Sequence, residues 1–201
     1  KNFPDSENIV IYKNSEAFEE AHQKLMSEHS DTEFWPQSHS LFKDVYLAIV
    51  NTDREYICFF TDDDIVYNPL PTIRKDMSYS LSVDGHIFRK NDLIEMFDEM
   101  CYLNERYDWE QTPNRIESVM QRFWTDTPPI MASFPESVMV NSPNNRVQDS
   151  HLSNKWGEVY NYDQEALLEK YMEGKRINLD LLDFSDIKCP HTEIDIMKGL
   201  V

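Results

Sequence analysis

Apolar residues recur along this chain at two spacings, one of two residues and one near 3.6, and they divide it into short strands and helices. Asn8–Tyr12 ("NIVIY") reads as a strand. A helix is expected from about Ser15, with Ala17, Phe18, Ala21 and Leu25 on one face. The polar, aromatic stretch "EFWPQSHS" reads as a loop. A second helix over 41–50 turns Leu41, Val45, Ala48 and Ile49 inward. A strand at 56–60 ("YICFF") then runs straight into Asp62, Asp63 and Asp64, with a second apolar triplet, Ile65, Val66 and Tyr67, immediately behind them.

Downstream, "SLSVDGHIF" (80–88) reads as two short strands around an Asp-Gly turn. Asn91 is placed to cap a helix through about Asn104, buried through Leu93, Ile94, Phe97 and Cys101. Thr112 and Pro113 open another helix, which carries Ile116, Val119, Met120 and Phe123. "IMASF" and "SVMV" (130–140) read as strands around Pro135 and Glu136. Asp163 caps a helix closed by Gly174, with Leu167, Leu168 and Tyr171 inward. Residues 177–201 read as irregular and acidic. The early β-α-α-β order implies an α/β fold with a largely parallel sheet.

Composition narrows the function classes. A length of 201 residues suits one domain, and 40% hydrophobic with 12% aromatic residues can build a core. With only four glycines there is no GxGxxG and no GxxxxGK[ST]. The formal net charge of -18 argues against a surface devoted to nucleic acid or an anionic membrane. An anionic substrate would need a local basic patch or a bound cation. Three widely spaced cysteines, Cys58, Cys101 and Cys189, suggest a reducing, cytoplasmic setting rather than a disulfide framework. No apolar run nears the roughly 18 residues of a membrane span, so a soluble domain is expected. A start at Lys1 rather than Met suggests a piece of a larger, multidomain polypeptide, from which an anchor or further domains could be missing.

The three aspartates pose the chemical question. Ligands of open α/β sheets sit beyond the carboxyl ends of strands, and carboxylates crowded there repel until a cation intervenes. Mg²⁺ or Mn²⁺ prefers oxygen ligands, and Mg²⁺ is commonly held by one or two carboxylates plus substrate phosphates. On a strand, Asp62 and Asp64 point to one side and Asp63 to the other. A divalent-metal site receiving a diphosphate is one reading. A solvated strand end with a charged turn is the other.

A helix, an aromatic-rich strand and then "TDDDIVYNP" resembles the DxD segment of GT-A glycosyltransferases, which use nucleotide-sugar donors. "LSVDGHIFR", "TPNRIES", "MASFPESVMVNSPNNRVQD", "EKYMEGKRINL" and "CPHTEI" extend the resemblance, in order, to a small single-domain GT-A group encoded by viruses and bacteria. The usual opening strand with its Tyr-Asn-Arg turn is only approximated by "IYKNS". The resemblance implies a single GT-A-like (Rossmann-like) domain over 1–201, with a mixed, mostly parallel central sheet flanked by helices. Residues 1–75 would form the nucleotide- and metal-binding half and 76–201 the acceptor half. For a viral member the setting would be the host cytoplasm.

The same resemblance implies roles. Asp64 would ligate the metal directly and Asp62 would be the second ligand, contacting the ribose or a metal-bound water, with Asp63 orienting near the sugar. His191 matches the group's late His-x-Glu segment and would complete the metal shell, with His151 as runner-up. Lys43 lies where the group contacts the donor. Tyr12 could stack on the base, and Arg146 could grip the pyrophosphate with its bidentate fork. Each also has an ordinary reading: an exposed lysine, a core tyrosine, a structural ion pair. Inverting transfer needs a general base. Glu117, beside the apolar face of Ile116 and Met120, is the expected one, and Asp84 in the "VDG" turn competes as base or acceptor contact. Trp35, Trp109, Trp124 and Trp156 suit stacking on sugars or filling a small core, with Trp109 favoured for the acceptor cleft.

The expected activity is transfer of a hexosyl or deoxyhexosyl group from a nucleoside-diphosphate donor, UDP-linked, to a glycan acceptor, with Mn²⁺ or Mg²⁺ as cofactor. Two readings compete with it. One is a catalytically inactive, glycan-binding GT-A-like module. The other is a phosphatase with an aspartate nucleophile, since "DDDIV" fits DxDxV, although "LDLLDFSD" lacks the glycine of the expected later acidic pair.

Overall fold

The computed structural model describes residues 6–38, 40–66, 85–107, 116–118, 120–121, 138–142, 159–160, 162–187 and 191–201. β1 (Asn8–Tyr12) leads through a 3-10 turn, Glu16–Phe18, into α1 (Glu19–Glu28). The chain then returns as β2 (Thr32–Pro36), which pairs with β1 in parallel, from Asn8 opposite Thr32 to Tyr12 opposite Pro36. β2 occupies the stretch expected to be a loop. Thr32, Phe34 and Trp35 are good strand residues, and Pro36 is tolerated because it closes the strand.

α2 (Leu41–Asn51) starts where Ser40 turns its hydroxyl back to accept from the Lys43 amide, 3.1 Å away. Its carboxyl end is met by the Lys90 ammonium, which donates to the Val50 and Thr52 carbonyls. β3 (Tyr56–Cys58) pairs antiparallel with β5 (Ile87–Arg89), and β5 runs directly into α3 (Lys90–Tyr107). The helix therefore starts at Lys90, one residue ahead of the expected Asn91 cap: the strand passes into the helix with no capping loop between them.

The core lies between α2 and α3. Phe42 stacks on Phe97 with ring centroids 4.9 Å apart, and Ile49, Leu93, Met96, Met100, Ile116 and Met120 close around them. β4 (Asp64–Val66) pairs antiparallel with β6 (Met139–Asn141). Gly85, at φ +70, sits against the Met139 side chain and donates its amide to the Phe59 carbonyl at 2.7 Å. The glycine thus joins the start of β5 to β6, in a backbone region that favours glycine.

The carboxyl-terminal part begins with α4 (Gln164–Met172), capped by Asp163, whose carboxylate accepts from the Ala166 amide at 2.9 Å. Gly174, at φ +91, ends it. α4 docks on α1: Lys24 donates to the Tyr171 carbonyl, Arg176 pairs with Glu28, and both cations lie over the Tyr171 ring. Residues 176–178 then pair with 199–201.

The chain is therefore mixed α/β, but the expected mostly parallel central sheet is not what the described residues form. They form three two-stranded ladders, and only β1–β2 is parallel. The strand reaching the aspartates breaks after Cys58, so β3 and β4 take different antiparallel partners instead of continuing as one.

Candidate functional site

The break between β3 and β4 is a turn from Thr61 to Asp64, closed by the Asp64 amide donating to the Thr61 carbonyl at 3.1 Å. Side chains reinforce it. The Thr61 amide donates to Asp64 Oδ2 at 2.8 Å, and the Thr61 hydroxyl donates to Asp63 Oδ1 at 2.9 Å. Asp62 and Asp63 therefore lie in a turn and only Asp64 belongs to a strand. Strand alternation, which would pair Asp62 with Asp64, does not operate here.

The pair that forms is Asp63 with Asp64, and a buried amide joins them. β4–β6 pairing sets Asn141 opposite Asp64. Asn141 Nδ2 donates to Asp63 Oδ1 at 2.7 Å and to Asp64 Oδ1 at 3.2 Å, with Thr61 Oγ1 at 3.3 Å. The amide has two hydrogens, and the two carboxylates are the strongest acceptors for them. The Ser142 amide adds a bond to the Asp63 carbonyl at 2.8 Å.

On the other end of the same side chain, Asn141 Oδ1 lies 3.1 Å from His191 Nδ1. Reversing the amide would set its oxygen against both carboxylates, so the network fixes its orientation. Oδ1 then accepts from Nδ1–H of His191. Asp63, Asp64, Asn141 and His191 are thus brought into one connected network.

A strap of chain holds His191 there. Residues 191–196 run beside β6, with the Thr192 amide donating to the Asn141 carbonyl at 3.0 Å and the Ile194 amide to Ser142 Oγ at 3.0 Å. Tyr162 donates its hydroxyl to the Ile194 carbonyl at 2.7 Å. Glu193 accepts from the Val159 and Tyr160 amides, and Ile194 and Ile196 are buried.

Electrostatics follow from the crowding. Asp62 is exposed as a residue, yet surrounding protein atoms raise its pKa above the ordinary carboxylate value, and the Asp63 charge adds to the rise. Burial, with the Asp64 charge as a smaller contribution, pushes the Cys58 thiol up to about 12. Neither Cys58 nor Cys101 is in a disulfide.

The other expected residues that are described sit on different elements. Glu117 is 6% exposed, between the core residues Ile116 and Met120, so it is buried rather than on a solvated helix face. Lys43 is exposed in the first turn of α2. Tyr12 packs edge-on against His22, centroids 4.7 Å apart, and Trp35 donates to Glu33 on its own strand. Asp84, Arg146, His151, Trp109, Trp124 and Trp156 lie outside the described residues.

Sequence reasoning missed Asn141, which joins the network, and Thr61, Ser142 and Tyr162, which fix it. The one available signal was a polar residue closing the apolar run "VMVN", as the aspartates close theirs. Among the described residues, no three His, Cys, Asp or Glu side chains form a ready-made metal cage, and no helix is long and apolar enough to cross a membrane. Comparison with family models, with curated proteins and with solved structures returns no match.

Proposed function

We propose that this chain is a metal-dependent glycosyltransferase that moves a sugar from a nucleoside-diphosphate donor, UDP-linked, to a glycan acceptor with inversion. The observation that carries the reading is the Asn141 junction: one amide holds Asp63 and Asp64 side by side, and its far end holds His191. Two carboxylates with an imidazole nearby are a donor set that suits Mn²⁺ or Mg²⁺, and a full protein cage is unnecessary when substrate phosphates complete the shell. The bound ion supplies Lewis-acid neutralisation of a departing diphosphate, which an acidic chain needs.

In this reading Asp63 and Asp64 are the inner carboxylates, Asp62 is the outer one facing the donor, and His191 is the third candidate ligand. Glu117 serves as the acceptor base, with Asp84 as the competing group. Lys43, Tyr12 and Arg146 contact the donor. The GT-A arrangement further requires that the three ladders belong to one nucleotide-binding layer.

Calorimetric titration of UDP in the presence and absence of Mn²⁺ is the first test, followed by a screen of nucleotide sugars for metal-dependent nucleotide release. Asp64→Ala should abolish both signals. If UDP binding shows no dependence on Mn²⁺, the reading is withdrawn. Glycan binding that survives in Asp64→Asn, without any nucleotide binding, would make the chain a glycan-binding module instead.

A further inference from the structure

We infer that Asn141 is a positioning residue that takes the place of a cation between Asp63 and Asp64, so that the carboxylate pair is assembled before any ion arrives. Three observations carry this. Asn141 itself is 7% exposed, and its bonds to the half-buried Asp63 and Asp64 are partly shielded from water, which strengthens directional bonds to charged groups. Both of its amide hydrogens face carboxylate oxygens of Asp63 and Asp64, adding a second bridge to the one Thr61 makes between two groups that repel when ionised. Its remaining polar atom is engaged as well, by His191, so the residue has only one orientation that satisfies every neighbour. The cross-strand register of β4 and β6 places it there, and the strap at 191–196 is hydrogen-bonded to its backbone carbonyl.

A neutral amide suits this task better than a cationic side chain. Lysine or arginine in the same place would neutralise the pair and compete with an incoming ion, whereas an amide satisfies the carboxylates with partial charges only. The bridge itself brings no countercharge and keeps the two side chains convergent. That Asn141 thereby sets the affinity for a divalent ion rests on the glycosyltransferase reading. That it holds the pair together does not.

Two readouts separate these claims. The first is thermal unfolding in EDTA. Asn141→Asp converges three carboxylates where the amide bridged two, so it should melt below both the wild type and Asn141→Ala, the gap to wild type being on the order of 5 °C or more. The second is Mn²⁺ binding, followed by calorimetry with and without UDP. Asn141→Ala should bind Mn²⁺ roughly 10- to 100-fold more weakly, as loss of a group orienting metal ligands does. Asn141→Asp should recover its lost melting temperature as Mn²⁺ is added. An Asn141→Asp protein that melts in EDTA like the wild type overturns the inference, and so does an Asn141→Ala protein that folds and binds Mn²⁺ as tightly as wild type. A wild type that takes up no Mn²⁺ removes the glycosyltransferase reading, and the EDTA melting order then decides the bridging role alone.

Discussion

The α2–α3 core is buried, whereas the Asn141 junction lies at the edge of solvent, with Asp63 and Asp64 half-buried and His191 exposed. The two are held by opposite means. In the core, Phe42, Phe97, Leu93 and Met120 interdigitate without direction, and many small contacts share the work. At the junction a few directional bonds hold groups that would otherwise repel. A core of the first kind tolerates small changes and loses stability in proportion to volume removed. A junction of the second kind keeps its shape only while every partner is present. On the proposed function, stability and ligand binding would thus be lodged in different parts of the chain.

The sharpest way to break that division is to cut the core. Phe97→Ala should cost about 3–5 kcal/mol in urea unfolding, yet, where the protein remains folded, leave the Mn²⁺ affinity within a few-fold. A matching loss of metal affinity would mean that the two regions are not separate. Gly85→Ala tests the link between them, because a Cβ there meets Met139 and the φ of +70 disfavours other residues. A loss of roughly 1–3 kcal/mol is expected, with weaker metal binding as β6 shifts; an unchanged melting curve would show that the Gly85–Met139 contact is dispensable.

Asp64→Asn works from the junction side. One of the two accepting oxygens of Asp64 becomes a donor facing a donor, so stability should fall by roughly 1 kcal/mol. Metal-dependent UDP binding should fall on the order of 100-fold, a difference calorimetry reads directly. A smaller effect is expected at Asp163→Ala, far from both regions, where loss of the α4 cap should cost about 1 kcal/mol and leave ligand binding alone. The last effect is nil at neutral pH. The Cys58 thiol is held up to about 12, so from about pH 9 upward the unfolded chain releases a proton that the folded chain keeps. Stability should therefore fall between about pH 9 and 12, and a Cys58→Ala protein should lose less over that interval.

Legibility in the sequence followed how local each signal is. β1 matches its expected bounds, α2 and α4 were readable from periodicity and caps, and the buried face of α3 from Leu93, Ile94, Phe97 and Cys101, because those signals are local. β2 was not readable, since only its pairing with β1 makes a strand of "TEFWP". The aspartates were found, but their geometry was misread: alternation holds only within a continuous strand, and the Thr61 hydrogen bonds convert the segment into a turn. Asn141 carries only a faint local mark, the polar end of the apolar run "VMVN". Its role arises from a pairing across the chain and a strap that returns 50 residues later.

That strap has a consequence for how the molecule is made. His191, Ile194 and Ile196 belong to the final stretch of the sequence given, and they close over β6 last in chain order. During synthesis the aspartates and Asn141 leave the ribosome well before the histidine that completes their network. A nascent chain, or one clipped by a protease ahead of residue 191, would carry the acidic pair without its imidazole neighbour.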